Sequence, residues 1–401
     1  MATPLLKPHG PAHVTPADVI MAGAILGVVL WAGTTKAELH APYAVPMAIL
    51  IGTGIVSAAF SIVPMSGVVA LGQDIFLFTW AAAVANLIRS PRDLNLFLSA
   101  WAFGAIAWAI LLLTAVFVGI PLIPGASYGV RVQLWFDNPN MAGNYFMVSL
   151  FVLMLSRFPR GGFARLCGYV VVGAAVLFTG SVAALGAFAI GASISLVYRV
   201  WWKADLRSAM AAGALGVALL ATLTFITLQL GTITAVDQSS NTLVENSLGR
   251  ASRSAAGRTN LFAHEFELFQ TGPFIGRGPA STKANLARSY GDVVKEAHDD
   301  YLATLTERGV IGVVGLLLLV LGVGLRASAV SHEPLSPAYA AVIRNRSAFI
   351  GASIALAISA ITHEILHYRH VWAFFGILAG VYLFGLAGER APGLARRSAT
   401  A

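Results

Sequence analysis

The sequence predicts an all-α fold, a polytopic bundle of about 11–12 transmembrane helices with one large polar loop, on three observations. Hydrophobic residues fill 57% of its 401 positions and charged residues only 11%. The apolar residues fall into runs close to the roughly 20 needed to cross a bilayer as helix. The positive charges gather in short stretches between those runs. A soluble domain typically carries about 25% charged residues. With so little charge the chain could not cover a surface in water. In lipid, apolar side chains can face outward while a helix satisfies its own backbone.

Eleven spans are predicted, near 17–34, 43–63, 68–88, 95–120, 141–157, 166–180, 182–199, 208–231, 309–326, 345–362 and 370–388. Thr179-Gly180-Ser181 is the polar break that separates the sixth from the seventh. Glycines within the runs suit close helix packing. Three regions follow: 1–231 with transmembrane helices one to eight, 232–307 as an extracytoplasmic loop carrying the catalytic motifs, and 308–401 with the last helices and a cytoplasmic tail.

The short loops set the orientation. Arg89 and Arg92 lie in one, Arg157, Arg160 and Arg165 in a second, and Arg199, Lys203 and Arg207 in a third. Arg326, Arg344 and Arg346 lie in a fourth, and Arg390, Arg396 and Arg397 in the tail. With all five cytoplasmic, spans three to eleven alternate without conflict, and eleven spans put the N-terminus outside. The loop with Arg131 and Asn138, the break at Ser181, the 232–307 stretch and the turn with His363, Glu364, His367 and Arg369 then share the outer face.

Net charge is +8 and pI about 9.8. The placement of that charge fits membrane topology, and no nucleic-acid-binding signature is present. The single cysteine, Cys167, reads as a small buried hydrophobe and leaves no partner for an intramolecular disulfide. Residues 1–16 carry Lys7 as their one basic charge and no signal-cleavage pattern.

Within the long loop, Leu261, Phe262, Phe266, Leu268 and Phe269 predict one apolar face of a helix over 260–270, ended by Gly272-Pro273. A second helix is expected from Val293 to about Glu307, with Asp292 as N-cap and Val294, Ala297, Tyr301, Leu302 and Leu305 on one face. Such helices suit the membrane interface.

Several residues carry a chemical reading beside a bland one. The loop arginines Arg250, Arg253, Arg258, Arg277 and Arg288 fit either a salt-bridged surface or an anion site, since guanidinium forks match phosphate oxygens. His298, in E-A-H-D-D-Y-L, is a core histidine or a general base. His363-Glu364-Ile365-Leu366-His367 matches H-E-x-x-H, which on a helix would hold zinc for a metalloprotease. Its predicted place is a turn, where a polar inter-helix connection is the plain alternative. Asn138-Pro139-Asn140 reads as a loop-to-helix junction. Gln73 and Asp74 lie inside the third span, where an ionisable group is a functional candidate.

Three ordered stretches resemble the O-antigen ligase and polymerase superfamily of bacterial membrane proteins. They are R-V-Q-L-W-F-D-N-P-N-M-A-G from Arg131 to Gly143, G-R-T-N-L-F through G-P-F-I-G-R-G from Gly257 to Gly278, and A-H-D-D-Y-L-A-T-L-T-E-R-G-V-I-G from Ala297 to Gly312. Two departures stand out: Asp299 follows the loop histidine where the family usually has asparagine, and Ser181-Val182 replaces a Ser-Arg.

The resemblance implies a metal-independent, inverting glycosyltransferase that needs no cofactor. Its donor would be a glycan on polyprenyl (undecaprenyl) diphosphate, and its acceptor a glycolipid or glycan hydroxyl. A polysaccharide ligase is the first expectation. An O-antigen or exopolysaccharide polymerase, a glycan-to-protein ligase and the zinc metalloprotease remain alternatives. By position, Arg131, Arg258 and Arg288 would hold the diphosphate, and His298 would activate the acceptor hydroxyl. Asn138, Arg277, Asp299, His363 and Arg369 are further candidates. The expected location is a bacterial cytoplasmic (inner) membrane, with membrane lipid around it and the site on the periplasmic face.

Overall fold

A computed structural model describes residues 15–118, 127–128, 131–132, 134, 136, 138–201, 251–291 and 299–387. At 127–128, 131–132, 201 and 251–260 it describes the backbone path. The first seven predicted spans appear as α1 (Pro16–Thr35), α2 (Ala44–Ala58), α3 (Pro64–Leu87), α4 (Pro91–Val118), α5 (Pro139–Leu155), α6 (Gly162–Phe178) and α7 (Val182–Trp201). The eighth, 208–231, lies outside the described residues. Then come α8 (Ala251–Gln270), α9 (Thr282–Tyr290), α10 (Asp300–His332), α11 (Pro337–Val342), α12 (Ala348–Ser359) and α13 (Arg369–Phe384). Among the described residues the strands are β1 (Ser127–Tyr128) and β2 (Arg131–Val132), one short antiparallel ribbon.

Local chemistry explains the helix starts. Thr15 and Asp18 form a reciprocal capping box ahead of Pro16, which satisfies amides that the first helical turn leaves open. Proline occupies the first turn of α3, α5 and α11, where its missing N–H costs nothing. Five helices, α1, α3, α4, α7 and α10, are long and apolar enough to cross a membrane alone. Helices α2, α5, α6, α12 and α13 are apolar but shorter. Thus α2 stops at Ala58, short of the predicted 63, because the chain must turn before Pro64 opens α3.

Helices α5 and α13 form the centre, with nearly every α13 residue from His370 to Val381 buried. Helix α13 packs on α3, where Gly376 and Gly380 meet Ala81, Val84 and Ala85. A Cβ at Gly376 would lie 2.6 Å from the Ala81 carbonyl oxygen, so this small-residue seam is what lets the backbones approach. Helices α7 and α12 meet in the same way through Gly191 and Gly351. Outward residues such as Val19, Ile20, Leu26 and Leu30 on α1 are exposed, as a lipid-facing surface requires.

The bundle has two chemically different ends. At one, Arg89 bonds the Glu38 carbonyl, Asn86 holds His40, Tyr339 bonds the Ile88 carbonyl and the Arg344 amide bonds that of Leu155. The foot of α7 joins them through Ser195 to Ser347 and Tyr198 to Ser328. The opposite end brings Asp18 to Arg369, Gly143 to Ser181, and Asp300 to Ala360 and Ile365. Among the described residues, the loops with Arg89, Arg157 and Arg344 and the foot of α7 therefore share one end, and the polar motifs share the other.

Candidate active site

The end of the bundle that carries the polar motifs is assembled around the start of α10. Its N-cap is Asp299, whose carboxylate accepts from the Tyr301 and Leu302 amides at 2.7 and 3.2 Å. Asp299 is extended, so the helix expected from Val293 to about Glu307 is interrupted there. Asp292 and residues up to His298 lie outside the described residues, and α10 runs from Asp300 to His332 with one kink. Gly309 alone departs from helical geometry, at φ +69°.

That departure makes room for the turn after α8. A Cβ at Gly309 would fall 2.1 Å from the Phe274 carbonyl oxygen, and one at Gly276 2.4 Å from that of Glu307. Gly276 and Gly278 both have positive φ, and the Arg277 and Gly278 amides bond the Thr306 and Glu307 carbonyls at 2.9 Å. Gly278 and Pro279 in turn reach Ser61, Gly54 and Gly67 at the outer ends of α2 and α3. The P-x-x-G-x-G and E-x-G stretches are thus one interlocked structure. The Glu307 carboxylate completes it by accepting from the Ala280 amide at 2.8 Å and from the Thr282 amide and hydroxyl at 3.2 and 2.8 Å.

Asp74, unpaired on paper, meets Arg308 at 2.5 Å, and Arg308 also donates to the Leu50 carbonyl at 3.0 Å. An acid inside a span demands such a partner, yet 234 residues separate the two. Asp300 is buried and accepts from the Ile365 and Leu366 amides at 2.8 and 3.4 Å, which pins the H-E-I-L-H turn to α10.

That turn is not helical. His363 and His367 therefore do not share a helix face, as the zinc-protease spacing requires. Among the described residues no group of three His, Cys, Asp or Glu is arranged to hold a metal. His367 instead pairs with Glu364 at 3.2 Å. Burial acts to lower its pKa, but the side chain is still 44% exposed, and the Glu364 hydrogen bond with the charges of Glu364, Asp74 and Asp300 raises it to about 9. His363 is buried beside the Thr362 carbonyl.

Helix α8 starts earlier than expected, at Ala251, and its buried stripe differs too. Leu261, Glu265 and Leu268 are buried, whereas Phe266 is 47% exposed. Leu261 and Leu268 of the expected face are buried and Phe262 and Phe269 are half-buried, so the expectation departs at one position, where Glu265 takes the buried place expected of Phe266. Glu265 is fully buried, and among the described residues neither of its oxygens has a hydrogen-bond partner. Burial, then the charges of Glu364, Asp299 and Glu307, lift its pKa from 4.5 to about 8. Burial likewise raises Asp299, against its two amide bonds.

The remaining sequence candidates divide. Asn138 caps α5 by accepting from the Met141 amide at 2.8 Å, with Pro139 in the first turn. Arg369 is held by Asp18 through two bonds of 2.5 and 2.6 Å, tying α13 to α1. Arg277 closes α8 by donating to the Leu268 carbonyl and the Thr271 hydroxyl at 3.0 and 3.2 Å. Arg288 is exposed on the last turn of α9. Arg131 lies in β2, and Arg258 lies on α8 seven positions before Glu265, two turns along the same helical register. His298 lies outside the described residues. Glu265, Asp300, Glu307 and Arg308 were missed as site residues. Glu307 left a signal as the glutamate of the E-R-G-V-I-G stretch, and Arg308 as the arginine beside the ninth predicted span.

Between these elements is a narrow cleft of about 40 Å³, partly open to the exterior, that reaches from Asp74 and Arg308 to Glu364 and His367. Residues 167–317 match the family model described as O-antigen ligase. The match covers the second and third resembling stretches and leaves Arg131 to Gly143 outside. The comparison with curated proteins yields no match.

Proposed function

We propose that this chain, whose match over residues 167–317 supports membership of the O-antigen ligase superfamily, moves a glycan from polyprenyl diphosphate to an acceptor hydroxyl as a polysaccharide ligase. The match is the observation that carries the reading. The interlocking of the two matched loop stretches at one end of the bundle agrees with it. In this reading the site faces the periplasm from the cytoplasmic membrane of a bacterium.

The acceptor oxygen attacks the anomeric carbon and forms the new C–O bond. The bond from that carbon to the diphosphate breaks, and its electron pair leaves with the diphosphate. Attack opposite the leaving group inverts the centre. Guanidinium groups stabilise the charge developing on phosphate without a metal, and this role falls to Arg258, with Arg131 and Arg288. The hydroxyl proton passes to His298, since a neutral hydroxyl is a weak nucleophile. Asp299 acts by fixing the start of α10 immediately after that histidine.

Deleting the gene in its host tests the assignment. Loss of a ligase leaves full-length polymer on its lipid carrier. Accumulation of single-repeat products would instead assign the chain as a polymerase.

A further inference from the structure

Arg157, Arg165 and Arg344 come together at the end of the bundle away from the cleft. Arg165, at the start of α6, donates to the Arg157 and Pro159 carbonyls at 2.6 and 2.9 Å, which folds the preceding loop around it. The Arg344 amide bonds the Leu155 carbonyl at 2.8 Å and brings a distant segment to the same loop. Arg165 is close enough to both other guanidiniums to feel their charge, and Tyr169, one turn along α6, feels Arg344 as well. Among the described residues no carboxylate pairs with any of the three, whereas Arg308 and Arg369 each hold an aspartate. Like charges gathered this closely repel one another. The surface beside them is apolar. Phe163 on α6 is 81% exposed, and Leu166 and Val170 are exposed with it. Spacings of three and four put these side chains on one helical stripe. Phe103, 64% exposed on α4, meets Phe158 of the loop edge-on, with 6.3 Å between ring centroids. Helix α4 and the loop close on α6 at Gly168, where a Cβ would lie 3.1 Å from Ile106 and 3.8 Å from Pro159. The cationic cluster therefore adjoins a surface that faces lipid.

We infer that Arg157, Arg165 and Arg344, with the outward side chains of α4 and α6, form a binding site for an anionic phospholipid. Guanidinium forks match phosphate oxygens, and basic pockets between transmembrane helices recognise anionic headgroups. One ligand satisfies both halves of the surface: its phosphate lies against the arginines, and its acyl chains lie along Phe103, Phe163 and Leu166. Arg165 sets the loop in place, while Arg157 and Arg344, both exposed, offer their guanidiniums to the headgroup. A zwitterionic lipid brings its own cation to a cationic cluster and is bound less well. The site is independent of the transferase reading, since it lies at the opposite end from the cleft.

The test is native mass spectrometry of the full chain released from micelles doped equally with dioleoyl phosphatidylglycerol and dioleoyl phosphatidylcholine. Phosphatidylglycerol adducts are expected to dominate. The double variant Arg157→Gln/Arg344→Gln keeps Arg165 and its two carbonyl bonds, so its melting curve should stay near that of the native chain. Its preference for phosphatidylglycerol should fall by about tenfold. Arg199→Gln removes an exposed charge from the foot of α7 and should leave the preference unchanged. Soluble glycerol phosphate, which has the phosphate without the acyl chains, should not displace the lipid. Equal retention of the two lipids, as a carboxylate supplied from elsewhere in the chain would cause, overturns the inference. So does an unchanged preference in the folded double variant, or an equal loss in Arg199→Gln, which would mean that diffuse charge at this end suffices. Displacement by glycerol phosphate overturns it as well, because the site would then recognise phosphate without lipid.

Discussion

Glu265 occupies a place on α8 that an amphipathic pattern would give to leucine, between buried Leu261 and Leu268. Its folded-state pKa is raised from 4.5 to about 8 by burial and neighbouring carboxylates. The folded state therefore holds a proton that the unfolded chain releases. This group's contribution is fully present below about 4.5 and is lost as pH rises through about 8. Glu265→Gln stays neutral throughout. Relative to the native chain its melting temperature should rise steadily from pH 5 to pH 8, by on the order of a few kcal/mol of stability at most. A constant offset across that window would contradict the burial of an ionisable proton. At His298, alanine should remove most transfer, about 10²–10⁴-fold, with donor binding and melting retained. A packed core histidine would show the reverse, lost stability with activity in the surviving protein. Single residues were legible where the cause was local. Asn138 as a cap followed from the proline after it. The partner of Asp74 did not, because only the packing of α3 against the start of α10 brings Arg308 to it.

At the scale of elements, the apolar runs located most of the described spans to within about four residues, whereas the second ends five residues early and the ninth, predicted at 309–326, extends over Asp300–His332. The loop was harder. Periodicity placed Leu261 and Leu268 on the inner face of α8, but it gave Phe266 the buried place that Glu265 takes, because an acid at an inner position breaks the apolar pattern. The start of α10 at Asp300 depends on the Asp299 cap and on the Ile365 and Leu366 amides that hold Asp300 from a distant turn. The glycine turn gives a direct check. Gly309→Ala puts a Cβ into the Phe274 carbonyl at a positive φ, a strain of about 1–3 kcal/mol before the clash is counted. It should lower yield and melting temperature, whereas Gly324→Ala on the same helix, with open space around it, should not. Asp74→Ala leaves Arg308 uncompensated and should cost about 3–5 kcal/mol. Replacing both partners by apolar residues should recover much of that loss. No recovery would mean that Arg308 is held by its Leu50 bond instead.

For the whole molecule, the distribution of arginines predicted which loops share a side, and among the described residues the bundle places the loops with Arg89, Arg157 and Arg344 at one end and the candidate site at the other. Reporter fusions after Arg92 and Arg207 should read cytoplasmic, and fusions near Asn241 external. A cytoplasmic signal at Asn241 would separate the site from a periplasmic donor. The proposed activity was legible only through three short motifs, because the apolar helices that fill most of the chain carry no chemical code. The most direct measurement is transfer itself, with purified protein in liposomes, a polyprenyl-diphosphate-linked glycan and an acceptor glycolipid. The account predicts glycan on the acceptor with one lipid diphosphate released per transfer, and a sharp loss in Arg258→Lys, which keeps the charge but not the planar fork. Folded protein that releases no lipid diphosphate, or a lysine variant as active as the native chain, would contradict it.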